Sequence, residues 1–109
     1  MNPDGSAVFT EQDRKDLDYL FNGLNDLFVS KGVPVIIGEM GVTNKDNQAD
    51  RAAWVDYYVR GAKKYNIACF VWDNNHGTEI GGEQFGLYNR REGSWYFPEL
   101  AKAYVDAAE

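Results

Sequence analysis

The apolar positions of this chain change period along its length. Leu17, Leu20, Phe21, Leu24, Leu27 and Phe28 recur at helical spacing. Thr10, with Asp13 three residues on, can cap that helix and Gly32 can stop it, so a first helix is expected at about 11–31. The pattern then becomes unbroken. Val33 to Glu39, with Pro34 and the β-branched Val35, Ile36 and Ile37, reads as a parallel strand covered on both faces, where alternation is lost. Polar Thr43 to Ala49 leads to a second helix whose stripe is Trp54, Tyr58, Ala62 and Tyr65, flanked by Val55 and Val59. Arg51, Asp56, Arg60, Lys63 and Lys64 are expected to face water there, and the basic residues of the last turns suit the helix dipole. Ile67 to Asp73 is a second apolar strand, so strand, helix and strand predict a parallel βαβ unit.

From Asn74 to Arg91 runs a loop with Gly77, Gly81, Gly82 and Gly86, longer than compact domains commonly hold unless it has a function. Pro98 opens a last helix at its first position, with Leu100, Ala103, Tyr104 and Ala107 on one side. Met1 to Phe9 is turn-prone and reads as a loop. The order is α-β-α-β-loop-α, an α/β chain with 1–109 as a single domain.

Composition narrows the function. A chain of 109 residues, 44% hydrophobic and 15% aromatic, is one small globular domain. With 17 acidic against 11 basic side chains it lacks the basic stripe that phosphate backbones require, so nucleic acid is not an expected partner. No apolar run approaches the roughly 18–20 residues needed to cross a bilayer, so no membrane partner is expected either. Cys69 is the sole cysteine, which leaves no disulfide framework and no thiolate zinc site, and it reads as a small buried hydrophobe. Asp46, Gln48 and Asp50 echo calcium-loop spacing without its sixth-position glycine or twelfth-position glutamate. Neither a metal nor another cofactor is implied.

The candidate chemistry gathers where the strands end, because loops converge there on one open face while each strand holds its last side chain rigid. Spacing alone leaves Glu39 two roles, a strand-end carboxylate paired with a lysine or a backbone amide, or a catalytic carboxylate. Trp72 reads as core or as a platform for the apolar face of a sugar. Asn74 and Asn75 can donate to substrate hydroxyls or build a turn. His76, the only histidine, reads as an exposed turn residue or a further substrate contact.

Four stretches taken together resemble one family: Gly38-Glu39-Met40-Gly41, Val71-Trp72-Asp73-Asn74, Gly82-Glu83-Gln84-Phe85-Gly86-Leu87-Tyr88-Asn89-Arg90 and Trp95-Tyr96-Phe97-Pro98-Glu99. Their order and spacing are similar to glycoside hydrolase family 5, above all its bacterial endo-β-1,4-glucanases (cellulases) and related xyloglucanases. The resemblance implies a (β/α)8 TIM barrel of which this chain is the C-terminal quarter, from the sixth helix through the seventh and eighth strands to the eighth helix. It implies that Glu39 is the nucleophile of a retaining glycosidase and that Trp72 stacks under the sugar at the cleaved subsite. It further implies a β-glucan or cello-oligosaccharide substrate and a secreted or cell-surface parent enzyme.

The same resemblance shows what is absent. Retaining glycosidases use two carboxyl groups roughly 5–5.5 Å apart. The family carries its acid/base in an Asn-Glu-Pro tripeptide on the fourth strand, and no such tripeptide occurs here. Its second-strand arginine, its two active-site histidines and the tyrosine after its sixth strand are missing too. The isolated chain is therefore expected to be inactive. Two parallel strands with open edges need neighbours, so a homo-oligomer or a companion N-terminal fragment is expected to complete them. Two rival readings follow: a catalytically silent self-assembling module, and a saccharide-binding module using Trp72 and the Asn74 to His76 segment.

Overall fold

The computed structural model describes residues 7–109. The loop expected at Met1 to Phe9 thus lies outside the described residues as far as Ser6. Helix α1 (Glu11–Leu27) starts at a reciprocal cap, in which Thr10 Oγ1 accepts from the Asp13 N–H at 3.2 Å and the Asp13 carboxylate accepts from the Thr10 N–H at 2.7 Å. It ends earlier than the apolar spacing predicts. Phe28 leaves helical geometry, Val29–Lys31 forms one 3-10 turn, and Gly32 closes it at φ 78°, a left-handed conformation that glycine adopts without a Cβ clash.

Strand β1 (Ile36–Met40), helix α2 (Gln48–Lys64) and strand β2 (Ala68–Val71) form the expected βαβ unit. The two strands run parallel, with Ile36 opposite Ala68, Ile37 opposite Cys69 and Met40 opposite Val71. Helix α3 (Pro98–Ala108) begins on its proline and packs on α2. The core lies between sheet and helices, where Met40, Val55, Val59, Ala62, Ile67, Leu100 and Ala107 are buried. A buried side chain of the Val, Leu or Phe kind contributes about 1.5–3 kcal/mol. Phe21 of α1 joins this core edge-on to Tyr58 at 5.1 Å, through a gap left by Gly61, whose Cβ would lie 3.0 Å from the Phe21 ring.

Three expectations are corrected. The strands are covered on one face only among the described residues: Ile37 and Cys69 meet the helices, while Ile36 and Phe70 on the other face are 63% and 55% exposed. Continuous apolarity reports what a strand can bury, not which neighbours are there to bury it.

Arg51 does not face water but is fully buried. Its Nε and Nη2 donate to the Val42 carbonyl at 3.2 and 2.9 Å, its Nη1 donates to Gln48 Oε1 at 2.8 Å, and it lies 5.0 Å over the Phe97 ring. Helical spacing places Arg51 beyond the apolar stripe, but the chain on either side folds back over it.

The segment 74–91 is not loop throughout. Strand β3 (Tyr88–Asn89) pairs antiparallel with β4 (Ser94–Trp95), and the edge-on contact of Tyr88 with Trp95 at 5.1 Å seals this hairpin.

Candidate active site

Glu39 reaches the open face of the sheet through an irregularity in β1. Ile37 packs toward the helices, and strict alternation would send Glu39 the same way. Between Ile37 and Met40, β1 carries one residue more than β2 does between Cys69 and Val71, a bulge that shifts the register. Met40 is consequently the buried residue and Glu39 the exposed one. The Trp72 N–H donates to the Met40 carbonyl at 2.8 Å, which locks the end of β2 beside the end of β1.

Glu39 and Trp72 accordingly line one open cleft of about 360 Å³, together with Met40, Gly41, Trp54, Tyr58 and Phe85. Trp72 is 45% exposed. The ion pairs found among the described residues are Arg60 with Asp56 and Lys102 with Asp106, so the lysine-paired role for Glu39 has no support. A larger hollow, about 500 Å³, lies away from Glu39 on the β2 side, lined by Val59, Ile67, Cys69, Val71, Tyr104 and Val105. Val59 and Ile67 are its buried wall, Cys69 and Tyr104 are partly buried, and Val71 and Val105 are exposed at its mouth.

The remaining candidates do not line the cleft. Asn74 Nδ2 donates to the Glu83 carbonyl at 2.6 Å, and its Oδ1 accepts from the His76 N–H at 3.2 Å. Asn75 takes φ 63°, its N–H donates to Asp73 Oδ1 at 2.9 Å, and its carbonyl accepts from the Tyr96 hydroxyl at 3.2 Å. Both asparagines act here as turn builders. His76 is exposed, and its carbonyl accepts from the Gly86 N–H at 2.7 Å.

Sequence reasoning missed Phe85 as a cleft wall. The available signal was Gly41, since a Cβ there would stand 3.1 Å from the Phe85 ring. Trp54 and Tyr58, read only as packing, show a second face in the cleft while stacking on each other at 4.8 Å. Asn44 was missed as well, and an asparagine in a polar stretch gives no sequence signal of burial. Burial sets the electrostatics nearby: it lowers the Arg51 guanidinium to about 10, and pushes the Tyr58 and Tyr104 hydroxyls and the Cys69 thiol upward. Arg51 therefore remains a cation at neutral pH.

Comparisons with known proteins bear on the family and the fold. The family model for cellulase (glycosyl hydrolase family 5) matches residues 3–78. Endoglucanase 1 of Ruminococcus albus is 50% identical over 91 residues, which is 83% of this chain and 22% of that protein. The chain thus spans about a fifth of the length of this curated relative. A broad specificity endoglucanase from Clostridium cellulovorans superposes with a TM-score of 0.92 at 38% identity, covering 100% of this chain and 32% of that one. A lichenase from Caldicellulosiruptor sp. F32, solved in complex with cellotetraose, gives a TM-score of 0.91 at 38% identity over 99% of this chain and 30% of its own. With the helices and strands laid out as in part of those TIM barrels, and the family model covering well over half of its residues, the chain belongs to glycosyl hydrolase family 5.

Proposed function

We propose that this chain supplies the nucleophile and the sugar platform of a retaining endo-β-1,4-glucanase, and that its acid/base comes from a companion segment. The observation that carries the reading is the bulge in β1, which turns Glu39 to the open face and into one cleft with Trp72. Cellotetraose bound to the similar lichenase supports a β-glucan chain as the ligand.

In the first step a Glu39 carboxylate oxygen bonds to the anomeric carbon while the bond from that carbon to the leaving sugar's oxygen breaks. A second carboxyl protonates that oxygen. In the second step the same group, now a carboxylate, takes a proton from water, whose oxygen displaces Glu39 from the sugar. Trp72 offers its indole face to the apolar face of the ring. Polymeric glucan does not cross membranes, so the parent enzyme acts outside the cell or at its surface.

A barrel completed with the companion segment tests the nucleophile. A 2-deoxy-2-fluoro-β-cellobioside with a dinitrophenolate leaving group needs no general acid and should label Glu39, as peptide mass spectrometry would reveal. Glu39→Ala should lose about 10⁴-fold or more of the turnover on soluble glucan while retaining binding. Label on another side chain, or hydrolysis unchanged in that variant, refutes the role.

The exposed apolar face and the two-stranded sheet favour a second, compatible reading for the chain by itself: a silent module that self-associates through its open strand edges. Sedimentation at micromolar concentration should give oligomers without glucan hydrolysis. A monodisperse monomer would remove this reading and leave the first intact.

A further inference from the structure

Phe85 reaches the cleft on a segment that anchors few of its own side chains in the core, Leu87 being buried just beyond it. The anchor is supplied from the other side. Asn44, in the turn after β1, is 4% exposed and uses both ends of its amide. Its Nδ2 donates to the Gly77 carbonyl at 3.2 Å and to the Glu79 carbonyl at 2.8 Å. Its Oδ1 accepts from the Asp46 N–H at 3.0 Å and from Gln48 Nε2 at 2.8 Å. Its own N–H donates to the Gln84 carbonyl at 3.0 Å, and its carbonyl accepts from the Gly81 N–H at 2.7 Å.

Asn44 therefore grips the segment 77–84 at Gly77, Glu79, Gly81 and Gln84, directly before Phe85. The grip is itself braced. Gln48 accepts from Arg51 Nη1, and Arg51 holds the Val42 carbonyl, so the brace ends three residues from Glu39. A buried polar network in which every member is paired fixes a unique geometry, because each unpaired alternative carries the cost of desolvation.

We infer that Asn44 is a positioning residue: it clamps the segment 77–84 across the end of β1 and so sets Phe85 as the wall of the glucan subsite beside Glu39 and Trp72. The clamp rests on hydrogen bonds alone, while its effect on glucan rests on the function proposed above. Only an amide satisfies this site, since it presents two donors to two carbonyls and one acceptor to two N–H groups. An aspartate keeps the size but turns a carboxylate against the Gly77 and Glu79 carbonyls. Protonation at low pH returns one donor.

The test uses the full 109-residue chain in the barrel completed with the companion segment. Amide exchange at Gly81 and at α2 residues is measured alongside cellotetraose titration for the wild type, Asn44→Asp, Asn44→Ser and Phe85→Ala. At pH 7, Asn44→Asp should lower Gly81 protection about tenfold or more and weaken cellotetraose binding by a similar factor, with α2 protection unchanged. Both effects should diminish together toward pH 4, which a general loss of structure does not produce. Phe85→Ala should weaken binding and leave Gly81 protected. Asn44→Ser, which keeps a donor and an acceptor on a shorter arm, should lie between and substitutes if the aspartate variant fails to fold. Unchanged Gly81 protection in both Asn44 variants overturns the clamp. Lost protection with undiminished binding overturns its role at the subsite. A wild type that ignores cellotetraose, with Gly81 protection still dependent on Asn44, rejects the glucanase reading and keeps the clamp.

Discussion

Replacing Gly86 by alanine puts the close main-chain crossing of Gly86 and His76 to the test. The added Cβ would stand 2.8 Å from both the nitrogen and the carbonyl carbon of His76 and 3.0 Å from the carbonyl carbon of Asn75. Carbon contacts are comfortable at about 3.5–4.0 Å, so the two strands of chain must part by roughly 0.7 Å or more. No side chain can rotate away, because the obstructing atoms are backbone. Parting them stretches the Gly86 N–H to His76 carbonyl bond, now 2.7 Å.

Overpacking costs about 1–3 kcal/mol and the hydrogen bond about 0.5–1.5 kcal/mol, so the segment should lose about 2–4 kcal/mol of local stability. At about 1.4 kcal/mol per factor of ten, amide protection at Gly86 should fall by about 30-fold or more. Gly41→Ala is the contrast. Its Cβ would sit 3.1 Å from the Phe85 ring and 3.5 Å from the Trp72 carbonyl, and the half-buried ring can retreat. That variant should weaken saccharide binding with little loss of stability. Native-state hydrogen exchange separates the two, and Gly86→Ala with wild-type protection at Gly86 and Gly81 would refute the steric reasoning.

Other outcomes follow from single residues. Gly23 lies inside α1 with nothing within 4 Å of where a Cβ would stand, so Gly23→Ala should stabilise the chain by about 0.5–1 kcal/mol in urea denaturation, and a loss would contradict the open surface. Arg51→Ala strips three donated hydrogen bonds from part-buried acceptors and should cost about 3 kcal/mol; Arg51→Lys, without the planar fork, should recover only part of it. The Tyr104 hydroxyl, like that of Tyr58 and the Cys69 thiol, is pushed up by burial, so the unfolded chain releases these protons first and stability is lost as pH rises above about 9–10. Arg51, lowered to about 10 by burial, has the opposite sign: it binds its proton less tightly in the folded chain, so the cost of burying its charge is constant below about 10 and fades as pH rises above that, partly offsetting the loss. Urea midpoints from pH 8 to 11 should therefore fall for the wild type and fall less for Tyr104→Phe; equal slopes would contradict the burial of that hydroxyl.

Much of this protein is written in local sequence. Thr10 with Asp13, Gly32 and Pro98 set helix ends through short-range geometry, and the apolar runs through Ile36 and Phe70 specify parallel strands whatever lies around them. The spaced Gly38-Glu39, Val71-Trp72, Gly82 to Arg90 and Trp95 to Glu99 stretches sufficed for the family.

Other features depend on partners distant in the chain, and periodicity carries no information about those. Alternation would have turned Glu39 inward with Ile37, and only the extra residue in the β1 register turns it out to the cleft. Arg51 looks like a solvated helix residue until the Val42 carbonyl and the Phe97 ring close over it, and Asn44 looks like a turn residue until the segment 77–84 crosses it. The elements were determined by neighbours in sequence. The aim of the carboxylate and the position of the aromatic wall were decided by neighbours in space.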